Sequence, residues 1–189
     1  MRIPIAVYTC RSWRIHDLAD DFAVEDVWAL PTPGGPDDLA KFARQFTSGG
    51  VSDPIVRVLL ALRWKLGALF GLDESDAGVG ARVATLRDQL PDDLRNGPRG
   101  PDFQSVPFRS VYQTDTEWVA ELANRTVHAL MHIGWVSDGA DDYHAEMTVL
   151  VQPNGLFGEI YLAAIKPIRL FLVYPMLIRS IGRDWERTR

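Results

Sequence analysis

The feature that most limits what this chain can become is the period-two alternation of residues 108–152. Side chains that alternate apolar and polar along an extended backbone bury one face of a sheet. Turn residues divide the stretch. Asn124-Arg125 reads as a tight turn, and the Asp- and Gly-rich residues 137–142 read as a second. The first turn sets Leu122 opposite Val127, Ala120 opposite Ala129, and Trp118 opposite Met131. The second sets Trp135 opposite Tyr143, Ile133 opposite Ala145, Met131 opposite Met147, and Ala129 opposite Val149. Apolar meets apolar in both hairpins, and a one-residue slip would split these side chains between two faces.

Helical periods flank the strands. Residues 30–36 hold three prolines and two glycines and read as a loop. Pro36, Asp37 and Asp38 suit the first turn of a helix carrying Leu39, Phe42, Ala43 and Phe46, which Ser48, Gly49 and Gly50 end. Ser52 or Asp53 caps a second helix, with Pro54 in its first turn, a stripe of Ile55, Leu59, Leu62, Leu66 and Leu69 or Phe70, and Gly71 as C-cap. Residues 90–107, rich in Pro and Gly, predict an irregular connection without a domain boundary. After Pro153-Asn154-Gly155 the pattern predicts a long apolar helix over 157–185, kinked by Pro167 and Pro175 and ending in Arg183, Arg187 and Arg189. The expected architecture is a single α+β domain over residues 1–189, an antiparallel sheet holding a long C-terminal helix. At 47% apolar and 10% aromatic residues the chain has ample material for its core.

Charge and cysteine content remove several functions. A net charge of -5 repels nucleic acid and anionic lipid, so no nucleic-acid partner is expected. Cys10 is the one cysteine, which forbids an internal disulfide and a thiolate metal cluster and suits a reducing, cytoplasmic setting. Its apolar neighbours Ile5, Ala6, Val7 and Tyr8 mark it as a packing residue. The first ten residues, broken by Pro4, make a poor secretory signal. Glu159, Lys166, Arg169 and Arg179 interrupt the C-terminal helix, and its uncharged run over 170–178 falls short of the ~20 residues of a spanning helix. A buried helix, not a membrane span, is the expectation. No Gly-rich phosphate loop, Gly-x-Ser-x-Gly elbow or His-Glu-x-x-His run occurs, so neither a cofactor nor a metal is expected. The basic residues 95–100 lie in the Pro-rich loop and read as a solvated linker.

Two groups of residues could carry chemistry. On the apolar face, Trp118, Met131, Trp135, Tyr143 and Met147, with Tyr161 and Ile165 from the helix, make either a filled core or an adaptable ligand pocket. On the opposite face, Glu117, His132 and Glu146 form a row across three strands, with Glu121 and His128 as a second pair. Two carboxylates would raise the imidazole pKa and could make an acid-base group or a metal site. The simpler reading, and the expectation, is that the row is the wet side of a half-buried sheet.

The ordered motifs resemble an uncharacterised bacterial family, domain of unknown function 2867 (DUF2867). They are Asp21-Phe22-Ala23-Val24, residues 58–72 around Leu62-Arg63 and Leu69-Phe70-Gly71-Leu72, Pro107-Phe108, and Gly158-Glu159-Ile160-Tyr161 leading to Ile165-Lys166-Pro167. Members look related to the START-like helix-grip (SRPBCC) superfamily, which implies a curved antiparallel sheet wrapped around the C-terminal helix and an apolar cavity between them. Members usually show Gly-Arg-x-Tyr and Pro-Phe-His, where this chain has Gly158-Glu159-Ile160-Tyr161 and Pro167-Ile168-Arg169, so no role of that Arg or His carries over. The resemblance implies binding of a hydrophobic small molecule. The alternatives are an enzyme using that cavity, with His132 or Tyr161 as acid-base group, and an interaction protein whose apolar C-terminal helix docks a partner or membrane surface, with a homodimer among the partners considered.

Overall fold

The computed structural model describes residues 1–48, 84–104, 106–124 and 127–188, without the side chains of Phe157 and Tyr161. The helix expected after Ser52 lies outside these residues. Helix α1 (Ile5–Thr9) and helix α2 (Ile15–Leu18) precede strand β1 (Ala23–Ala29), and helix α3 (Leu39–Thr47) follows it. A 3-10 turn (Leu86–Gln89) and the one-turn helix α4 (Asp92–Arg95) lead to strands β2 (Arg109–Gln113), β3 (Glu117–Ala123), β4 (Val127–Gly139) and β5 (Asp142–Pro153). The chain closes with helix α5 (Gly155–Ile168), a π-helical turn (Arg169–Val173) and helix α6 (Tyr174–Thr188). The fold is α+β, with a five-stranded antiparallel sheet in the order β1-β5-β4-β3-β2 and a C-terminal helix.

The alternation assigns every side chain to the expected face, but both hairpin registers need correction by two residues. Leu122 pairs with Ala129, Ala120 with Met131 and Trp118 with Ile133; Trp135 pairs with Ala145, Ile133 with Met147, and Met131 with Val149. The cause is local. Asn124 closes the first turn instead of forming it, its backbone N–H donating to Val127 O at 2.9 Å and its side-chain oxygen accepting from Val127 N–H at 3.0 Å. In the second turn Gly139 (φ 109°) and Ala140 (φ 50°) take left-handed conformations and keep the strands paired as far as Asp142. Moving a hairpin's centre by one residue moves every partner by two, which preserves the faces.

The apolar face packs against α3 and α6. Trp118, Ala120, Met131, Ile133, Trp135, Ala145 and Met147 form one core with Phe42, Tyr174, Ile181 and Trp185. Phe103 stacks on Trp118 at 5.6 Å, and Gly100 (φ +88°) touches the same indole, leaving no room for a Cβ. The other face is also covered. Residues 1–22 form a strap that begins along β1, with Ile3 N–H donating to Val27 O and Ala29 N–H to Met1 O, and then crosses the sheet. Tyr8, Ile15 and Ala19 from the strap, with Leu86, Leu90 and Leu94, pack on Val111, Val119, Leu130 and Leu150.

Three further expectations change. Residues 90–107 contain α4, and the arginines of the expected solvated linker are tied down: Arg95 donates to Leu90 O at 2.8 Å and Arg99 to Ser110 O at 2.6 Å. Cys10 is exposed, because the single turns of α1 rotate Tyr8 inward and leave the C-cap residue outside. The C-terminal helix is continuous, with a π-helical turn between Pro167 and Pro175. Both halves reach the core, the first through Leu162 and Ile165 and the second through Tyr174, Ile181 and Trp185, while Leu156, Ile160, Phe171 and Leu172 face outward. By length and composition alone Gly158–Thr188 is long and apolar enough to cross a membrane.

Candidate functional site

On the apolar face, Trp118, Met131, Trp135 and Met147 are buried in one cluster, with half-buried Tyr143 against it. Ile165 sits in a neighbouring cluster with Val127, Ala129, Val151 and Leu162, and Val149 touches both. The Tyr161 side chain lies outside the described residues. Trp118 Nε1 donates to Ser110 Oγ at 3.0 Å and Trp135 Nε1 to Gly35 O at 2.8 Å, so both indoles are satisfied.

Polar groups converge where the π-helical turn meets β1, a place sequence reasoning missed. Pro175 cannot donate to the preceding turn, so the helix widens between Pro167 and Pro175. Arg169, at the start of that turn, donates to Glu25 at 3.0 Å and to fully buried Asp26 at 3.2 Å. Burial pushes the Asp26 carboxyl above its usual range despite Arg169. Trp28 and Tyr174 face each other at 5.2 Å. Among the described residues, Trp28 Nε1, Arg169 Nε and Asp26 Oδ1 find no hydrogen-bond partner; Arg2 approaches Asp26 Oδ1 only to 3.5 Å. The one signal in the sequence was the Pro167 and Pro175 pair.

The polar row on the other face is not wet. Glu117, Glu121, His128, His132, Glu146 and Thr148 are all buried beneath the strap and the 3-10 turn. Glu117 accepts Arg14 N–H at 2.8 Å, Ile15 N–H at 3.3 Å and Tyr112 O–H at 3.0 Å. Burial pushes its carboxyl up, but these donors and the neighbouring imidazole outweigh it and hold the group below its ordinary range. His132 Nε2 lies 3.3 Å from Glu117 Oε2 without hydrogen-bond alignment, and neither ring nitrogen has a partner among the described residues. Burial drives its pKa down, against the attraction of Glu117, which corrects the expectation of a raised value. The imidazole is neutral beside an ionised carboxylate. The Glu121–His128 pair is in contact at 3.2 Å, and Glu121 also accepts from Leu86 N–H and the Thr85 hydroxyl, tying the 3-10 turn to the sheet.

The row itself is rearranged by the register. Glu117 and Glu146 both pair with Gly134, and His132 stands diagonal to them. Arg11 donates to Glu146 Oε1 at 2.7 Å, and the Trp13 indole lies on Gly134. Tyr8 and Trp13 meet His132 edge-on at 5.5 and 5.2 Å. Since His132 faces the strap, it cannot serve as acid-base group in a cavity on the C-terminal helix side. Among the described residues no group of three or more His, Cys, Asp or Glu is arranged to hold a metal ion.

The chain is thus an α+β domain whose antiparallel sheet carries an apolar layer on one face and a buried His–Glu layer on the other. A family model described as protein of unknown function (DUF2867) matches residues 18–176, and the chain belongs to that family. No curated protein and no solved structure matches it. Glu117, His132 and Glu146 lie inside the matched region, whereas Tyr8, Arg11, Trp13 and His16 precede it.

Proposed function

We propose that the protein binds a small, mainly apolar molecule between the sheet and the C-terminal helix, as a START-like helix-grip domain would. The observation that carries this reading is the cluster of polar atoms without hydrogen bonds at Trp28, Arg169 and Asp26, under a π-helical turn and beside apolar Met147, Leu170 and Tyr174. Buried donors and acceptors are normally satisfied, and π turns concentrate at functional positions. Two donors without hydrogen bonds, beside a carboxylate oxygen whose one ion pair among the described residues is the 3.5 Å approach of Arg2, suit a hydroxyl on an otherwise apolar ligand. Native mass spectrometry of the purified protein, repeated after denaturation, tests the reading. A stoichiometric hydroxylated apolar passenger is expected, and Trp28→Phe, which removes only the indole donor, should lower its occupancy. A protein that arrives empty and gains no thermal stability from 1-decanol overturns it. The exposed Cys10 thiol suits a reducing, cytoplasmic setting.

A second reading, an interaction protein, rests on the outward-facing Leu156, Ile160, Phe171 and Leu172. It requires concentration-dependent association, a homodimer being the simplest case, that Phe171→Asp abolishes. Sedimentation as a monomer at every concentration removes it.

A further inference from the structure

The strap fills a slot on the polar face of the sheet. Its floor is Gly134, where a Cβ would stand 2.6 Å from Trp13 Cζ2, so only a bare backbone admits the indole. Its walls are the buried carboxylates of Glu117 and Glu146, one on either side of Gly134 across the sheet. Into this slot the strap delivers a flat ring from Trp13, a guanidinium from Arg11 and two backbone N–H groups from Arg14 and Ile15. The fit is incomplete. Among the described residues Trp13 Nε1, a donor, has no acceptor, Glu146 Oε2 has no donor, and His132, which is 1% exposed, makes no hydrogen bond through either nitrogen, Nε2 lying 3.3 Å from Glu117 Oε2. A layer shaped only to seat the strap would pair such groups or be apolar.

We propose that the slot over Gly134 is a binding site for a flat, cationic nitrogen compound, an aromatic ring bearing an amidinium-type group, and that the strap occupies it as a built-in stand-in. When the strap lifts, Arg11 leaves with it, and Glu117 and Glu146 lose their main donors. A planar cation restores both the ring contact and the charge-assisted hydrogen bonds. Trp13 is only half-buried, so the edge of the ring gives a way in. Because strap and ligand compete, the apparent affinity is reduced by the fraction of closed molecules.

Benzamidine is the probe, with the neutral isostere benzamide as control, followed on the full chain through the Trp13 indole N–H and the His132 ring resonances. Benzamidine should shift both signals, and benzamide should bind at least about tenfold more weakly. Trp13→Ala, which empties the slot, should tighten benzamidine about tenfold or more. Gly134→Val, which fills the floor, should abolish binding. Unchanged affinity in Trp13→Ala, or equal binding of the two probes, overturns the proposal. Should Trp13→Ala fail to fold, Arg11→Gln withdraws the strap's own cation and leaves its ring; a several-fold tightening supports the site, and no change refutes it.

Discussion

Replacing Glu117 by glutamine isolates what a buried carboxylate does for this fold. The carboxylate accepts from Arg14 N–H, Ile15 N–H and the Tyr112 hydroxyl, with distances of 2.8, 3.3 and 3.0 Å. A carboxamide has one accepting oxygen and one donating NH₂. Tyr112 can rotate its hydroxyl to accept, but one backbone N–H of the strap must then face another donor. Leaving that N–H unpaired in a buried site costs about 1–3 kcal/mol, and loss of charge on the surviving bonds about 1 more. The cheaper desolvation of a neutral group offsets part of this, leaving a loss of about 2–3 kcal/mol. At a urea m-value of about 2 kcal/mol per M, the midpoint at pH 7 should fall by about 1–1.5 M. The sign of the pH dependence follows from the depressed Glu117 pKa. Its stabilisation is complete above the ordinary value of 4.5 and is lost as pH falls through the depressed folded-state value, so the gap between wild type and variant should be narrower at pH 3.5 than at pH 7. Urea unfolding of both proteins at the two pH values is the assay. A midpoint shift below about 0.3 M at pH 7, or an equal gap at both pH values, would show that the Glu117 carboxylate does not hold the strap.

Two further outcomes follow from the same contacts. His132 is neutral in the fold with its pKa held below 6.5, so acidification through that value charges the unfolded chain first and lowers stability by up to about 1.4 kcal/mol per pH unit. His132→Gln should flatten that slope between pH 7.5 and 5.5. The comparison is made in a His144→Gln background, since His144, raised mainly by Glu146, has the opposite sign. A slope unaltered by His132→Gln would contradict the assignment. Trp118→Ala removes a fully buried indole that stacks on Phe103 and should cost about 3–5 kcal/mol by chemical denaturation. A loss below about 2 kcal/mol would mean the indole borders a pre-existing void.

Periodicity along the chain was enough to assign the faces. Trp118, Met131, Trp135 and Met147 share the apolar face, and Glu117, His132 and Glu146 share the other, because alternation is a property of each strand alone. Register was not legible. A shift of two residues returns every side chain to the same face, so the hydrophobic pattern scores both pairings alike, and the conformations around Asn124 and Gly139 choose between them. The π-helical turn was half legible: Pro167 and Pro175 marked an irregular stretch of helix, but nothing local to Arg169 indicated that it would reach Asp26, more than a hundred residues away.

Local features were readable along the chain: strands and their alternation, a helix carrying Leu39, Phe42, Ala43 and Phe46 that ends before Ser48, and a long C-terminal helix. What the polar face meets was set by how distant elements pack. A row of Glu and His reads the same whether water or protein covers it. The cover comes from Tyr8, Trp13 and the backbone of Arg14 and Ile15, which approach Glu117 and His132 from about a hundred residues away. Burial is a property of the whole assembly of elements, and it is burial that turns a solvated row into paired, pKa-shifted groups with unspent hydrogen-bonding capacity.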